Sequence, residues 1–153
     1  MKNENRIDSA VLLAAGLGTR LRPLTLKTPK PLLKIGECTL IDHQLRYLKK
    51  HGIKKVAINL HHLPEMIENH VGDGSRYGLS IVYSREPKIL GTGGGIKKAC
   101  ALLNSNDILV LNSDALADLN IEKIAERHLM SNAAATMALR KLLPGESYTG
   151  ITI

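Results

Sequence analysis

The sequence predicts an α/β sandwich built on a mostly parallel sheet. Short apolar runs alternate with stretches of helical periodicity along the chain. One run, residues 108–111, is apolar at every position, the pattern of a strand covered on both faces. The composition agrees: 44% hydrophobic and 23% charged residues over 153 positions describe one globular domain and exclude disordered or collagen-like chains.

The elements follow in order. Residues 10–13 form an apolar run that ends in small residues and Gly16, as a buried strand entering a tight loop does. Residues 39–50 read as a helix, with Ile41, Leu45 and Leu48 on one face. Thr39 and Asp42 have the spacing of a capping box, and Lys49, Lys50 and Gly52 suit the helix end. Residues 56–60 are a second strand. Pro64 can open a short helix to Val71, because its missing N–H is not needed in a first turn. Residues 79–83 make a third strand, and Ile96, Ala99, Cys100 and Leu103 then trace a helix face. After the strand at 108–111, Asn120 caps a helix with the stripe Ile121, Ile124, Ala125, His128 and Leu129. Residues 133–139 predict another strand, and residues 149–153 begin one more. With no closing helix after it, the sequence reads as a chain cut inside a larger fold, a naturally short protein being the other reading.

Charge narrows the function. Lys and Arg number 21 against 14 Asp and Glu, a net charge of +7 that favours anionic partners. Nucleic acid is disfavoured, because the basic residues are scattered and Phe and Trp are absent, leaving few rings to stack bases. No apolar run approaches membrane-spanning length, and the first ten residues lack the apolar core of a signal peptide. The expectation is a soluble cytoplasmic domain that handles phosphorylated small molecules. Cys38, in a turn, and Cys100, on a helix face, form no metal-like pair. His61 and His62 resemble a ligand pair, but sequence neighbours rarely share a face, and a solvated loop is expected there. His128 is expected at a core edge.

The densest chemistry lies after the first strand, in Leu13-Ala14-Ala15-Gly16-Leu17-Gly18-Thr19-Arg20-Leu21-Arg22-Pro23. Glycines at this place let backbone N–H groups approach a phosphate, and Arg20 adds a permanently charged donor fork. A dinucleotide fingerprint fails here: Leu21 stands where a third small residue belongs, and no acidic residue ends the second strand. A Walker loop fails as well, since neither Gly-rich stretch closes with Gly-Lys-Ser/Thr. Downstream, Pro29 and Pro31 flank Lys30 and stiffen the presentation of its ammonium.

Joined, the stretch LAAGLGTRLRPLTLKTPKPLL resembles the opening of the sugar-1-phosphate nucleotidyltransferases, the NDP-sugar pyrophosphorylases. Gly72-Asp73-Gly74-Ser75, residues 86–96 and residues 111–114 fall in the same family order. GDGSRYGLSIVYSREP and GTGGGI look most like the N-acetylmuramate-1-phosphate uridylyltransferase type, with mannose- and heptose-1-phosphate guanylyltransferases as near alternatives.

The resemblance implies a Rossmann-like three-layer α/β/α sandwich. It implies transfer of NMP from an NTP to a sugar-1-phosphate with release of pyrophosphate, as in making precursors of cell-envelope polysaccharides. It assigns residues 1–153 to the N-terminal nucleotide-binding part of one domain, with the C-terminal sugar-binding part missing. Ala15, Gly16, Gly18 and Thr19 would wrap the triphosphate, and Arg20 would contact its β and γ phosphates. Lys30 would reach the α-phosphate and the incoming sugar phosphate. Glu86 and Gly91 would meet the base, Gly93 would let backbone approach the nucleotide, and Asn112 would contact sugar. Asp114 would bind Mg²⁺. Asp118 comes too early to be the family's second metal-binding Asp, so nucleotide binding is expected to survive more readily than turnover. Ser113 stands where many relatives have Gly. A homo-oligomer through the exposed sheet edge, and a non-catalytic nucleotide or nucleotide-sugar binding module, stay open at this point.

Overall fold

The computed structural model describes residues 6–141 and Gly145. Residues 6–119 form one compact unit, and the described residues from Asn120 onward belong to a second.

The first unit is a four-stranded, all-parallel sheet in the order β5-β4-β1-β6. Its strands are β1 (Ser9–Leu13), β4 (Lys55–Leu60), β5 (Ser80–Arg85) and β6 (Leu109–Asn112). Between them run α1 (Leu24–Lys27), α2 (Leu40–Lys50), α3 (Pro64–Val71) and α4 (Gly91–Cys100). Because strand side chains alternate between faces, β1 sends Ala10 and Leu12 one way and Val11 and Leu13 the other. The first face packs with Val56, Ile58 and Leu60 of β4 against Ile41, Leu45 and Leu48 of α2 and Ile67 and Val71 of α3. On the second face, Val11 and Ala57 meet Ala99 of α4 and Leu103 just beyond it. Helices therefore cover both sides of the sheet, giving the three-layer sandwich.

Local chemistry sets the helix starts. The Asp42 N–H donates to Thr39 Oγ1 at 3.2 Å, and the Thr39 N–H donates to Asp42 Oδ2 at 3.0 Å, a complete capping box on α2. Asp42 also takes the Tyr77 hydroxyl and an Arg76 N–H, and it pairs with His70 Nε2 at 3.0 Å. Burial alone would raise its carboxyl pKa, but hydrogen bonds from Tyr77, Thr39 and His70 outweigh that and hold it well below the usual carboxylate range. Burial, with the bond to Asp42, pushes the Tyr77 phenol up to about 12.

Four expectations need correction. The run at 108–111 is not covered on both faces: β6 is the sheet's edge strand among the described residues, and Val110 is 39% exposed while Leu109 and Leu111 pack on the core. Residues 133–139 form no strand. Their alanines, 133–135, are weak strand formers, and Thr136 instead meets His128 Nδ1 at 2.9 Å. An unanticipated antiparallel pair joins β2 (Lys34–Ile35) to β3 (Cys38–Thr39), so Cys38 is in a strand rather than the turn. Gly36, at φ +65°, makes that tight turn possible. The loop histidines, the fourth correction, belong to the site below. The strand expected at 149–153 lies outside the described residues.

In the second unit, α5 (Ile121–Ser131) is capped as expected, with the Lys123 N–H donating to Asn120 Oδ1 at 2.9 Å.

Candidate functional site

The order β5-β4-β1-β6 reverses direction at β1: the chain steps outward through β4 and β5, then returns to place β6 on the opposite side of β1. Loops leaving neighbouring strands diverge at such a point, and the crevice between them is where open parallel sheets bind ligands. A cleft of about 320 Å³ opens there.

One wall is the loop after β1. Ala15, Gly16, Gly18, Thr19 and Arg20 all line the cleft. Gly18 is left-handed at φ +62°, and a Cβ there would lie 2.8 Å from Thr25 Cγ2. The Thr25 hydroxyl donates to Gly18 O at 2.8 Å, so the loop is folded down on a buried threonine. At Gly16, by contrast, a Cβ would meet nothing within 4 Å. Among the described residues no packing demands glycine there. Arg20 has no ion-pair partner among the described residues.

The opposite wall joins two distant segments. Lys30 opens a single 3-10 turn between Pro29 and Pro31, closed by Leu32 N–H donating to Pro29 O at 2.8 Å. Its Nζ donates to Asp114 Oδ2 at 2.6 Å. Asp114 follows β6, whose ladder is extended by Ser113 N–H to Leu13 O at 3.0 Å. Asn112 ends that strand and lines the cleft. From α2, the Gln44 amide donates to Ala115 O, and the Tyr47 hydroxyl donates to Leu119 O and accepts the Leu119 N–H. These bonds anchor the segment that carries Asp114.

Glu86 and Gly91 form the third side. Glu86 is only 4% exposed, and both of its oxygens are engaged within the protein: Oε1 accepts from Asn59 and Oε2 from the Leu90 N–H. Gly91, at φ +70°, starts α4. Gly93 is not brought to the cleft lining.

Sequence reasoning missed the residues that brace these loops. Asn59 accepts the Ala14 N–H, and Thr25 holds Gly18. His61 and His62 are not simply solvated: their ring nitrogens meet Glu86 O at 2.7 Å and Thr25 O at 2.6 Å. No cluster of three potential metal ligands occurs among the described residues. The bracing by Asn59, His61 and His62 had no local sequence signal, because their partners lie 25 to 45 positions away, whereas Thr25 and Gly18 are only seven apart.

The fold is the Rossmann-like sandwich of the nucleotide-diphospho-sugar transferases, with its Gly-rich loop and its Lys–Asp pair at the switch point. The profile of the family described as Nucleotidyl transferase matches residues 9–151, and the chain belongs to that family. Over 112 residues it is 47% identical to N-acetylmuramate alpha-1-phosphate uridylyltransferase of Neisseria meningitidis serogroup B, covering 72% of this chain and 48% of that protein. It is 38% identical over 140 residues to D-glycero-alpha-D-manno-heptose 1-phosphate guanylyltransferase of Aneurinibacillus thermoaerophilus, covering 91% of this chain and 60% of that protein. The structure of HddC from Yersinia pseudotuberculosis complexed with GMP-PN matches with a TM-score of 0.73 at 29% identity, over 80% of this chain and 55% of that one. The chain thus spans about half the length of these relatives.

Proposed function

We propose that this chain carries the nucleotide-binding part of a cytoplasmic sugar-1-phosphate nucleotidyltransferase. It transfers NMP from an NTP to a sugar-1-phosphate and releases pyrophosphate, with UTP the favoured donor and GTP the next. The observation that carries this reading is the Lys30–Asp114 pair, 2.6 Å apart across the cleft from a Gly-rich loop that ends in Arg20.

The reaction needs no protein nucleophile. A phosphomonoester has a second pKa of about 6, so the sugar phosphate is already largely dianionic at neutral pH and can attack the α-phosphorus. The obstacle is repulsion between two anions. Residues 16–19 offer backbone N–H groups to the triphosphate, and Arg20 offers a planar donor fork to the departing pyrophosphate. Lys30, held by its prolines, is the cation for the α-phosphate and the incoming phosphate. Glu86 and Gly91 border the base, and Asn112 borders the sugar.

Asp114 suits Mg²⁺, which takes one or two carboxylates and completes its shell with phosphate oxygens and water. When bound there, the ion would neutralise charge on the phosphates. Lys30 also donates to the Asp114 carboxylate, which ties the segment after β6 to the Pro-Lys-Pro turn.

The test is pyrophosphate release from UTP or GTP with sugar-1-phosphates and Mg²⁺. Lys30→Ala is expected to lower the rate by about 10²–10³-fold, the scale of losing one preorganised electrostatic contact. Asp114→Asn is expected to do likewise, and unchanged turnover in either variant refutes these roles. Nucleotide binding without pyrophosphate release would favour a binding module instead.

A further inference from the structure

The next-to-last residue of β4 is Asn59, a 3%-exposed amide that the chemistry above does not use. The Ala14 N–H donates to Asn59 Oδ1 at 2.7 Å, and Asn59 Nδ2 donates to Glu86 Oε1 at 2.9 Å. Glu86 Oε2 accepts the Leu90 N–H at 2.9 Å. Three hydrogen bonds thus run from the first residue after β1 to the residue before α4. The polarity of the link is fixed at both ends, because a backbone N–H only donates and a carboxylate accepts. The group between them must accept on one side and donate on the other, as a side-chain amide does and a carboxylate or an alkyl group does not. α4 packs its backbone onto the link: a Cβ on Gly95 would lie 2.6 Å from Asn59 Nδ2 and 2.8 Å from Glu86 Oε1.

We infer that Asn59 is a positioning residue that ties the phosphate loop at residues 14–20 to the loop carrying Glu86 and Gly91, so that the polyphosphate side and the base side of the cleft are held as one unit. This rests on the nucleotide reading above. A ligand touching both sides gains from the fixed spacing, whereas one touching only the phosphate loop does not. Asn59 itself borders the cleft but is only 3% exposed, with its amide oxygen engaged by Ala14 and its amide nitrogen by Glu86.

The test reverses the polarity of the link. Asn59→Asp sets acceptor against acceptor. Glu86→Gln leaves the new amide able to satisfy Asn59 or the Leu90 N–H, but not both. Together the two substitutions restore every match: the new carboxylate accepts from Ala14 and from the new amide, whose oxygen accepts from Leu90. Amide exchange at Leu90 in the ligand-free full chain, and dissociation constants for UTP, GTP and inorganic tripolyphosphate, are the readouts. Each single variant is expected to speed Leu90 exchange at least tenfold and to weaken the preferred nucleotide at least tenfold. Tripolyphosphate affinity should stay within threefold in Asn59→Asp, a split that general destabilisation would not produce. The double variant should return Leu90 exchange to within threefold of wild type. Gly95→Ala, which wedges the same link apart without changing charge, should behave like the single variants. Absence of UTP and GTP binding to the wild-type chain would overturn the nucleotide reading. Unchanged Leu90 exchange in Asn59→Asp, or no recovery of that exchange in the double variant, overturns the inference itself.

Discussion

At the residue scale, Lys30 and Asp114 form an ion pair whose side chains are 27% and 37% exposed. Such pairs contribute only about 0–1 kcal/mol to stability. Urea unfolding of Lys30→Ala is therefore expected to stay within about 1 kcal/mol of wild type while pyrophosphate release falls, separating function from fold. Asp42 is the opposite kind of residue. Its pKa is depressed below the ordinary 3.8, so its contribution is complete above that value and is lost as pH falls further toward the folded-state pKa. Asp42→Asn should flatten the acid limb of stability against pH, measured by thermal unfolding between about pH 5 and pH 2; an unchanged acid limb would sink that role. Lys30 and Asp114 were legible because motif and strand end marked them. Asn59 was not, since its partners lie 45 and 27 positions away and meet it only through the β1–β4 register and the return of the chain after β5.

At the element scale, the two loop glycines should separate by substitution. Gly18→Ala meets Thr25 at 2.8 Å from a left-handed backbone, and it is expected to lower the unfolding midpoint. Gly16→Ala meets nothing, so it should unfold like wild type yet bind triphosphate more weakly. Equal triphosphate affinity in Gly16→Ala and wild type, measured by calorimetric titration, would remove the backbone approach from the account. Thr39→Ala breaks the capping box of α2 and should cost about 0.5–2 kcal/mol in urea unfolding. That box could be read in the sequence because capping is local chemistry. The β2–β3 pair could not, being two residues per strand with no periodicity to detect. The solid run at 108–111 misled in a different way: apolar character gives the tendency to be buried, but the position of a strand in the sheet order decides how many faces are covered.

At the scale of the whole molecule, alternation of strands and helices was enough to predict the α/β sandwich, and the packing of Leu12, Leu45 and Ile58 on one face and of Val11, Ala57 and Ala99 on the other bears it out. Sheet order is what places the site, because the reversal at β1 brings the loop after residue 13 and the loop after residue 112 to opposite walls of one cleft. Sequence pattern carries no direct record of that order; it gave the walls through motifs and left the bracing between them unseen. The net charge of +7 is consistent with an anionic ligand, but charge by itself does not choose one.

The central claim is that Arg20 and Lys30 together hold a triphosphate at this cleft. Calorimetric titration of UTP and GTP, with Mg²⁺, into the full chain and into its Arg20→Ala and Lys30→Ala variants tests it most directly. One nucleotide per chain is expected for wild type, with affinity at least tenfold weaker in each variant and unfolding midpoints unchanged. Equal affinity in wild type and both variants would contradict the claim.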